Sequence, residues 1–252
     1  MARTSTSKMT LTRLVADFVA SAPHRGLDKN VMEKAKVHTL DTLAAMISGA
    51  EMEPGRQAIA YARAIGSRKE AGVLASKVRV DAMTAALANG MSAHADETDD
   101  SNQFSLTHPG CAVVPAALAM AEREGSTGAQ FLKAITVGYD ICARMGMALG
   151  GEAFIRTGKD SHAVAGAMGA AAAAGALSGL DPVRIGYALS YASQQASGLA
   201  TLFRDHGHVE KAFVFGGLPA RSGIAAVTMV QSGMTGVPDP LATTARLGRV
   251  CG

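Results

Sequence analysis

A chain of 252 residues, 48% of them hydrophobic, is long enough to enclose a substantial core, so a folded domain is expected. Twenty-four basic against 21 acidic residues leave a net charge of +3, and four Tyr, seven Phe and no Trp supply few stacking platforms, so nucleic acid is not an expected partner. The three cysteines, Cys111, Cys142 and Cys251, are odd in number and lack CxxC spacing, which points to free thiols in a reducing compartment and a cytoplasmic location.

The start, MARTSTSKMTLTRLVADF, has no acid before Asp17, as in transit peptides, but Leu11, Leu14, Val15, Phe18 and Val19 recur at helical spacing and read as a first helix. Asp28 predicts the N-cap of a second helix, along which Leu40, Leu43, Ala44 and Ile47 continue the period. Further helices are predicted near 56–65, 82–97, 112–124, 127–148, 163–178, 182–198 and 218–232, with Asp181-Pro182 as an N-cap followed by an N1 proline. GVLASKVRV, 72–80, is the one extended segment.

Residues 163–180, AVAGAMGAAAAAGALSGL, carry no charge, yet Ala and Gly give little transfer free energy, so they predict a close-packed internal helix and no membrane association. Short glycine-rich punctuation separates the helices and no linker interrupts them. The expected fold is all-α: a single helical domain over 1–252 with Ala/Gly-rich, closely packed helices.

Chemistry concentrates in three segments. In HADETDDSNQFSLTHPG, 94–110, a helix running on from Asp81 puts His94, Glu97, Thr98 and Ser101 on one face and turns Asp96, Asp99 and Asp100 to the other. Pro109 favours an extended backbone at His108, where the ring can meet the acid face. His94 with Glu97 has a possible ligand spacing, to which Asp99 or Asp100 can add oxygen, but no second His/Cys set sits at a recognised spacing, so no metal is expected. An acidic, hydrated helix end is the plain alternative.

In GGEAFIRTGKDSHAVAG, His162 opens the Ala/Gly helix; a phosphate loop fails because Ala153 and Asp160 stand where glycine and Ser/Thr are needed. In FRDHGHVEKAFVFGGLPARSG, Lys211 and Arg221 suit substrate carboxylates, Arg for bidentate contact, or else are snorkelling surface cations.

Taken in order, HADETDDSNQFSLTHPG, CAVVPAALAMAEREGSTGAQFLKAITVGYDICAR, GAAAAAGALSGLD, ASGL and KAFVFGGLPARSG resemble the 2-methylcitrate dehydratase (MmgE/PrpD) family, which is also similar to cis-aconitate decarboxylases and an iminodisuccinate epimerase. The resemblance implies a mostly helical, homodimeric fold and a site without metal or cofactor that moves a proton beside a carboxylate of a small di- or tricarboxylate. Carried over by position, Glu97 stands for the catalytic aspartate, Ser101 for the threonine and His108 for the HPG histidine, with Asp99 and Asp100 as the Asp-Asp pair. His162 stands two residues after the next active-site histidine and Lys211 one residue from the substrate-binding lysine.

The expected catalytic set is therefore Glu97, Ser101, His108 and His162, converging on one cleft, with Asp100, Lys211 and Arg221 binding substrate. Glu in place of Asp extends the candidate base by about 1.3 to 1.5 Å. Relatives carry a second, α/β lid domain, expected to be absent from this chain, which ends in ATTARLGRVCG. The expected function is a hydro-lyase, or a related decarboxylase or epimerase, acting on a polycarboxylate such as 2-methylcitrate; the alternative is a truncated, non-catalytic helical dimerisation domain.

Overall fold

The helical period in the sequence becomes helix almost throughout. The computed structural model describes residues 9–243; Cys251, the first eight residues and most of ATTARLGRVCG lie outside the described residues. In chain order the helices are α1 (Leu11–Ser21), α2 (Lys29–Gly49), α3 (Glu53–Ile65), α4 (Ala82–Ala93), α5 (Pro109–Glu124), α6 (Gly128–Ala148), α7 (Glu152–Ile155), α8 (Ser161–Leu177), α9 (Pro182–Gln195), α10 (Val209–Ala212) and α11 (Leu218–Gln231). The extended segment becomes a small antiparallel hairpin, β1 (Ala71–Gly72) and β2 (Arg79–Val80), pairing Ala71 with Val80 and Gly72 with Arg79. Side-chain caps start most of the long helices: Asp28 accepts from Asn30 N–H, Asp160 from Ala163, Asp181 from Arg184, and Thr127 with Gln130 forms a capping box. Each such cap is worth about 1 kcal/mol.

At the centre lies α8, packed against α5, α6, α9 and α11 and buried at every residue except His162, Val164 and Leu177. Its small residues let backbones touch: a Cβ on Gly169 would stand 2.6 Å from the carbonyl oxygen of Gly138 on α6. The Ala/Gly-rich helices, through which homodimerisation is the expectation from sequence, are therefore packed inside the chain, and exposed apolar faces lie elsewhere. One such face is the outside of α2, where Val37, Leu40 and Ile47 are exposed, while Ala35, Thr39, Thr42, Ala45 and Met46 turn inward. The period predicted helix correctly, but small side chains and threonines, rather than the larger apolar stripe, were selected for the close packing of α2 on α4.

α10 and α11 are parts of one helical run, Val209–Gln231, joined through a π-helical turn at Phe213–Gly217. Pro219 has no N–H to give the Phe215 carbonyl, and the Cys111 thiol donates to that oxygen instead at 3.4 Å. Gly216 meets Gly90 of α4 backbone to backbone, so closely that a Cβ on Gly216 would lie 2.1 Å from the Gly90 oxygen. This crossing sets the Phe215 ring one helical turn from His94. By length and composition the run is apolar enough to cross a membrane, but 78% of its most apolar window is packed inside the chain, as in a core helix.

Candidate active site

The opening acid-rich stretch is not the helix its spacing predicted. α4 stops at Ala93, and His94 is its C-cap, with N–H bonded to the Gly90 carbonyl. Asp96 then accepts from both the backbone N–H and the hydroxyl of Thr98, a local turn that competes with helix continuation, and Glu97 between them takes a left-handed φ of 54°. The shared helical face for His94, Glu97, Thr98 and Ser101 is thus replaced by a reversal that sends successive side chains in different directions.

One of them, Asp99, is driven inward until its side chain is fully buried. Its Oδ1 lies 2.9 Å from His94 Nδ1 and its Oδ2 lies 3.3 Å from His108 Nδ1. Burial alone would raise the Asp99 pKa, but the two imidazoles outweigh it and hold the carboxyl well below the usual range. His94 is shifted down, chiefly by burial and against the pull of Asp99. An ionised Asp99 only accepts, so neutral His94 carries its proton on Nδ1, and its Nε2 is a buried lone pair without a partner.

His108 is placed as Pro109 dictates. It is the N-cap of α5, with φ −112° and ψ 84°, and Pro109 occupies the first helical turn. The glycine that follows has a different reason: a Cβ at Gly110 would stand 2.6 Å from Thr42 Oγ1, 2.7 Å from Asp100 Oδ1 and 2.9 Å from the Tyr139 hydroxyl. Asp100 accepts from the Gly110 N–H at 2.9 Å and lies 2.9 Å from His38 Nδ1, so its carboxylate faces a separate polar pocket beneath α5.

His162 lies in the first turn of α8. Asp160, itself buried, caps that helix with one oxygen and reaches His162 Nδ1 at 3.1 Å with the other. The His162 ring stacks on Phe215 with centroids 3.7 Å apart, and His94 and His108 lie 4.5 and 5.6 Å from the same ring. Lys211 Nζ stands 5.4 Å from the Phe215 centroid and donates to Glu97 Oε1. That bond, with the Lys211 charge, keeps the Glu97 pKa low against the opposing effect of burial. His208, left-handed at φ 60°, brings Nε2 to 3.3 Å from the same Glu97 oxygen and 3.3 Å from the His94 carbonyl.

Of the residues singled out in sequence, Glu97, His108, His162 and Lys211 are gathered around Phe215. Ser101 is exposed, and none of the contacts that join this cluster runs through it. Arg221 is an exposed residue of α11 lining a separate open groove with Tyr61, Asp205 and Glu210. His94, Asp160, His208 and Phe215 were not singled out as catalytic; a D-x-x cap pattern before α8 was the available signal for Asp160, whereas Phe215 reads as ordinary core. The more enclosed cavity, about 320 Å³ and lined by residues such as Met145, Phe154 and Met168, contains none of these imidazoles or carboxylates.

Among the described residues, two triads bring ligand atoms within 4.8 Å of one another: His94, Asp99 and Cys111, and His94, Glu97 and His208. Neither is well made for a cation. Burial, then the nearby carboxylates, push the Cys111 thiol far from thiolate formation, and Lys211 already neutralises Glu97. What the cluster offers instead is a set of imidazoles each with a ring nitrogen 2.9 to 3.3 Å from a carboxylate oxygen, beside one ammonium, an arrangement suited to moving protons on an anionic molecule.

The model of the MmgE/PrpD N-terminal domain matches residues 13–251. The chain belongs to the MmgE/PrpD family. Among its relatives is the cis-aconitate decarboxylase-like protein oryM of Aspergillus oryzae, 28% identical over 243 residues, covering 90% of this chain and 50% of that protein. Another is the cis-aconitate decarboxylase of Aspergillus terreus, 28% identical over 238 residues and covering 88% of this chain and 48% of that protein. The chain spans about half the length of the curated relatives it matches.

Proposed function

We propose that this MmgE/PrpD chain is the helical catalytic part of a lyase that transfers a proton beside a carboxylate of a small di- or tricarboxylate. The observation that carries the reading is the grouping of His94, His108, His162 and Lys211 on one aromatic ring, with Asp99 and Asp160 fixing the imidazoles. His108 and His162 are the proton-transfer pair: in each, Nδ1 is turned to a carboxylate, which leaves Nε2 as the nitrogen for the reacting carbon or leaving group. Lys211 neutralises a substrate carboxylate as charge develops beside it. Neutral His94 keeps Asp99 ionised and aligned toward His108.

Among 2-methylcitrate, citrate and cis-aconitate, the names of the relatives favour cis-aconitate and decarboxylation. Loss of carbon dioxide leaves an electron pair spread over an unsaturated carboxylate, which an imidazolium then protonates at carbon; dehydration requires the same acid and base in the other order. No metal or cofactor is needed in this reading, and activity is expected to survive EDTA. The test is turnover of the three acids by the folded chain. His108→Asn and His162→Asn are each expected to lower kcat about a hundredfold or more with circular dichroism unchanged.

Absence of turnover by well-folded protein would favour the rival reading, a helical dimerisation domain, which the exposed row Val37, Leu40 and Ile47 supports. That row is also our proposed homodimer face, and light scattering at micromolar concentration reads it directly, a monomer counting against it.

A further inference from the structure

We propose that Glu97 is an internal stand-in for a substrate carboxylate: in the ligand-free protein it occupies the anion position on Lys211, and a small polycarboxylate binds by displacing it. The inference rests on the polycarboxylate reading of the site and assigns Glu97 a role other than the proton acceptor that the family resemblance implies.

Three observations carry it. A single Glu97 oxygen takes both partners, since Oε1 accepts from Lys211 Nζ and lies 3.3 Å from His208 Nε2. Lys211 stands over the same Phe215 ring as the imidazoles, so the carboxylate it holds lies where an anion would be presented to them. The partners are also unequally buried: the Glu97 side chain is 48% exposed, against 20% for Lys211 and 24% for His208. The acid can therefore swing into water at little desolvation cost, while the Lys211 ammonium and the His208 ring stay in place to receive another carboxylate.

The backbone is shaped for this contact from both sides. Glu97 and His208 are each left-handed without being glycine, and they sit on different loops at the point where those loops meet. Asp205 meanwhile accepts from the Glu210 and Lys211 N–H groups, fixing the start of α10, so Lys211 is anchored from behind. A carboxylate held on an ammonium, with its pKa lowered first of all by that bond, is a weak proton acceptor near neutrality but a good occupant of an anion position.

The experiment is calorimetric titration of the whole chain with citrate and with cis-aconitate at neutral pH. Glu97→Gln keeps the side chain's shape and removes the charge that competes for Lys211, so affinity is expected to rise about threefold to tenfold. In the wild-type protein the Glu97 carboxyl, followed by carbon-detected NMR, is expected to titrate higher with ligand saturating than without it. Lys211→Ala is expected to lower affinity at least about tenfold.

Unchanged or weaker binding by Glu97→Gln, with Lys211→Ala impaired, overturns the inference and leaves the polycarboxylate reading standing. No binding by wild type or by Glu97→Gln removes both together.

Discussion

Asp99 and Asp100 are neighbours in sequence and both are largely buried, yet they titrate in opposite directions. Asp99 faces two imidazoles and is held well below the carboxylate range, whereas Asp100 is raised, first by burial, with the Gly110 N–H, Tyr139 and His38 only partly compensating and Asp99 adding repulsion. The difference shows that burial by itself does not decide the charge of an interior acid; the donors gathered around each oxygen do. It also separates the labour of the two pockets. One presents an anion to His94 and His108, and the other fastens the first turn of α5, from which His108 projects.

The contrast breaks most visibly at Asp99 itself. Asp99→Asn removes the anion between two imidazoles and is expected to cost about 1.5 to 3 kcal/mol in urea unfolding at pH 7. A cost under about 1 kcal/mol would mean the fork contributes little. Next in size is Gly110→Ala, which forces a methyl into Thr42, Asp100 and Tyr139 in the neighbouring pocket. It should cost about 1 to 3 kcal/mol, and an unchanged midpoint would show that the pocket yields.

Acid sharpens the comparison. Burial lowers the His94 pKa, so below about 6.5 the unfolded chain binds a proton that the folded chain resists. Stability should fall with decreasing pH in that window by at most about 1.4 kcal/mol per unit, and His94→Gln should flatten the slope. Asp99 adds a second decline at lower pH: its depressed pKa stabilises the fold above its unfolded value near 3.8, and that contribution is lost as the pH falls toward the folded value. A stability profile flat between pH 7 and pH 5 would contradict the His94 assignment.

Asp100 should give the smallest effect. Its raised pKa makes ionisation unfavourable to the fold, a penalty that sets in above the unfolded value near 3.8 and is complete above the folded value. Asp100→Asn still accepts the Gly110 N–H, so at pH 7 it is expected to be neutral or slightly stabilising, within about 1 kcal/mol. A loss matching that of Asp99→Asn would erase the distinction between the pockets.

Much of the architecture was legible because helical periodicity and caps are local properties. Asp28 and Asp181 start α2 and α9 as read, and the hairpin covers the predicted extended stretch, beginning one residue earlier at Ala71. The turn after His94 was not legible: residues 94–98 contain neither glycine nor proline, and it depends on Asp96 bonding Thr98 while Glu97 goes left-handed. The inward face of α2 was also hidden, because apolarity ranks Leu40 and Ile47 above Thr39 and Thr42, whereas tight crossing favours the smaller side chains. Motif resemblance pointed to His108, His162 and Lys211, but it could not reveal the ring that joins them. Phe215 reaches its place through Pro219, Gly216 and a backbone contact with Gly90, residues far apart in sequence and apolar in character.

That ring also gathers groups without wiring them together. Among the described residues no imidazole hydrogen-bonds another, although three of them lie against Phe215 and the His108 centroid stands 5.0 Å from that of His94 and 5.3 Å from that of His162. The imidazoles are close neighbours with no hydrogen-bonded proton path between them. On the function proposed above, a bound molecule would supply that path.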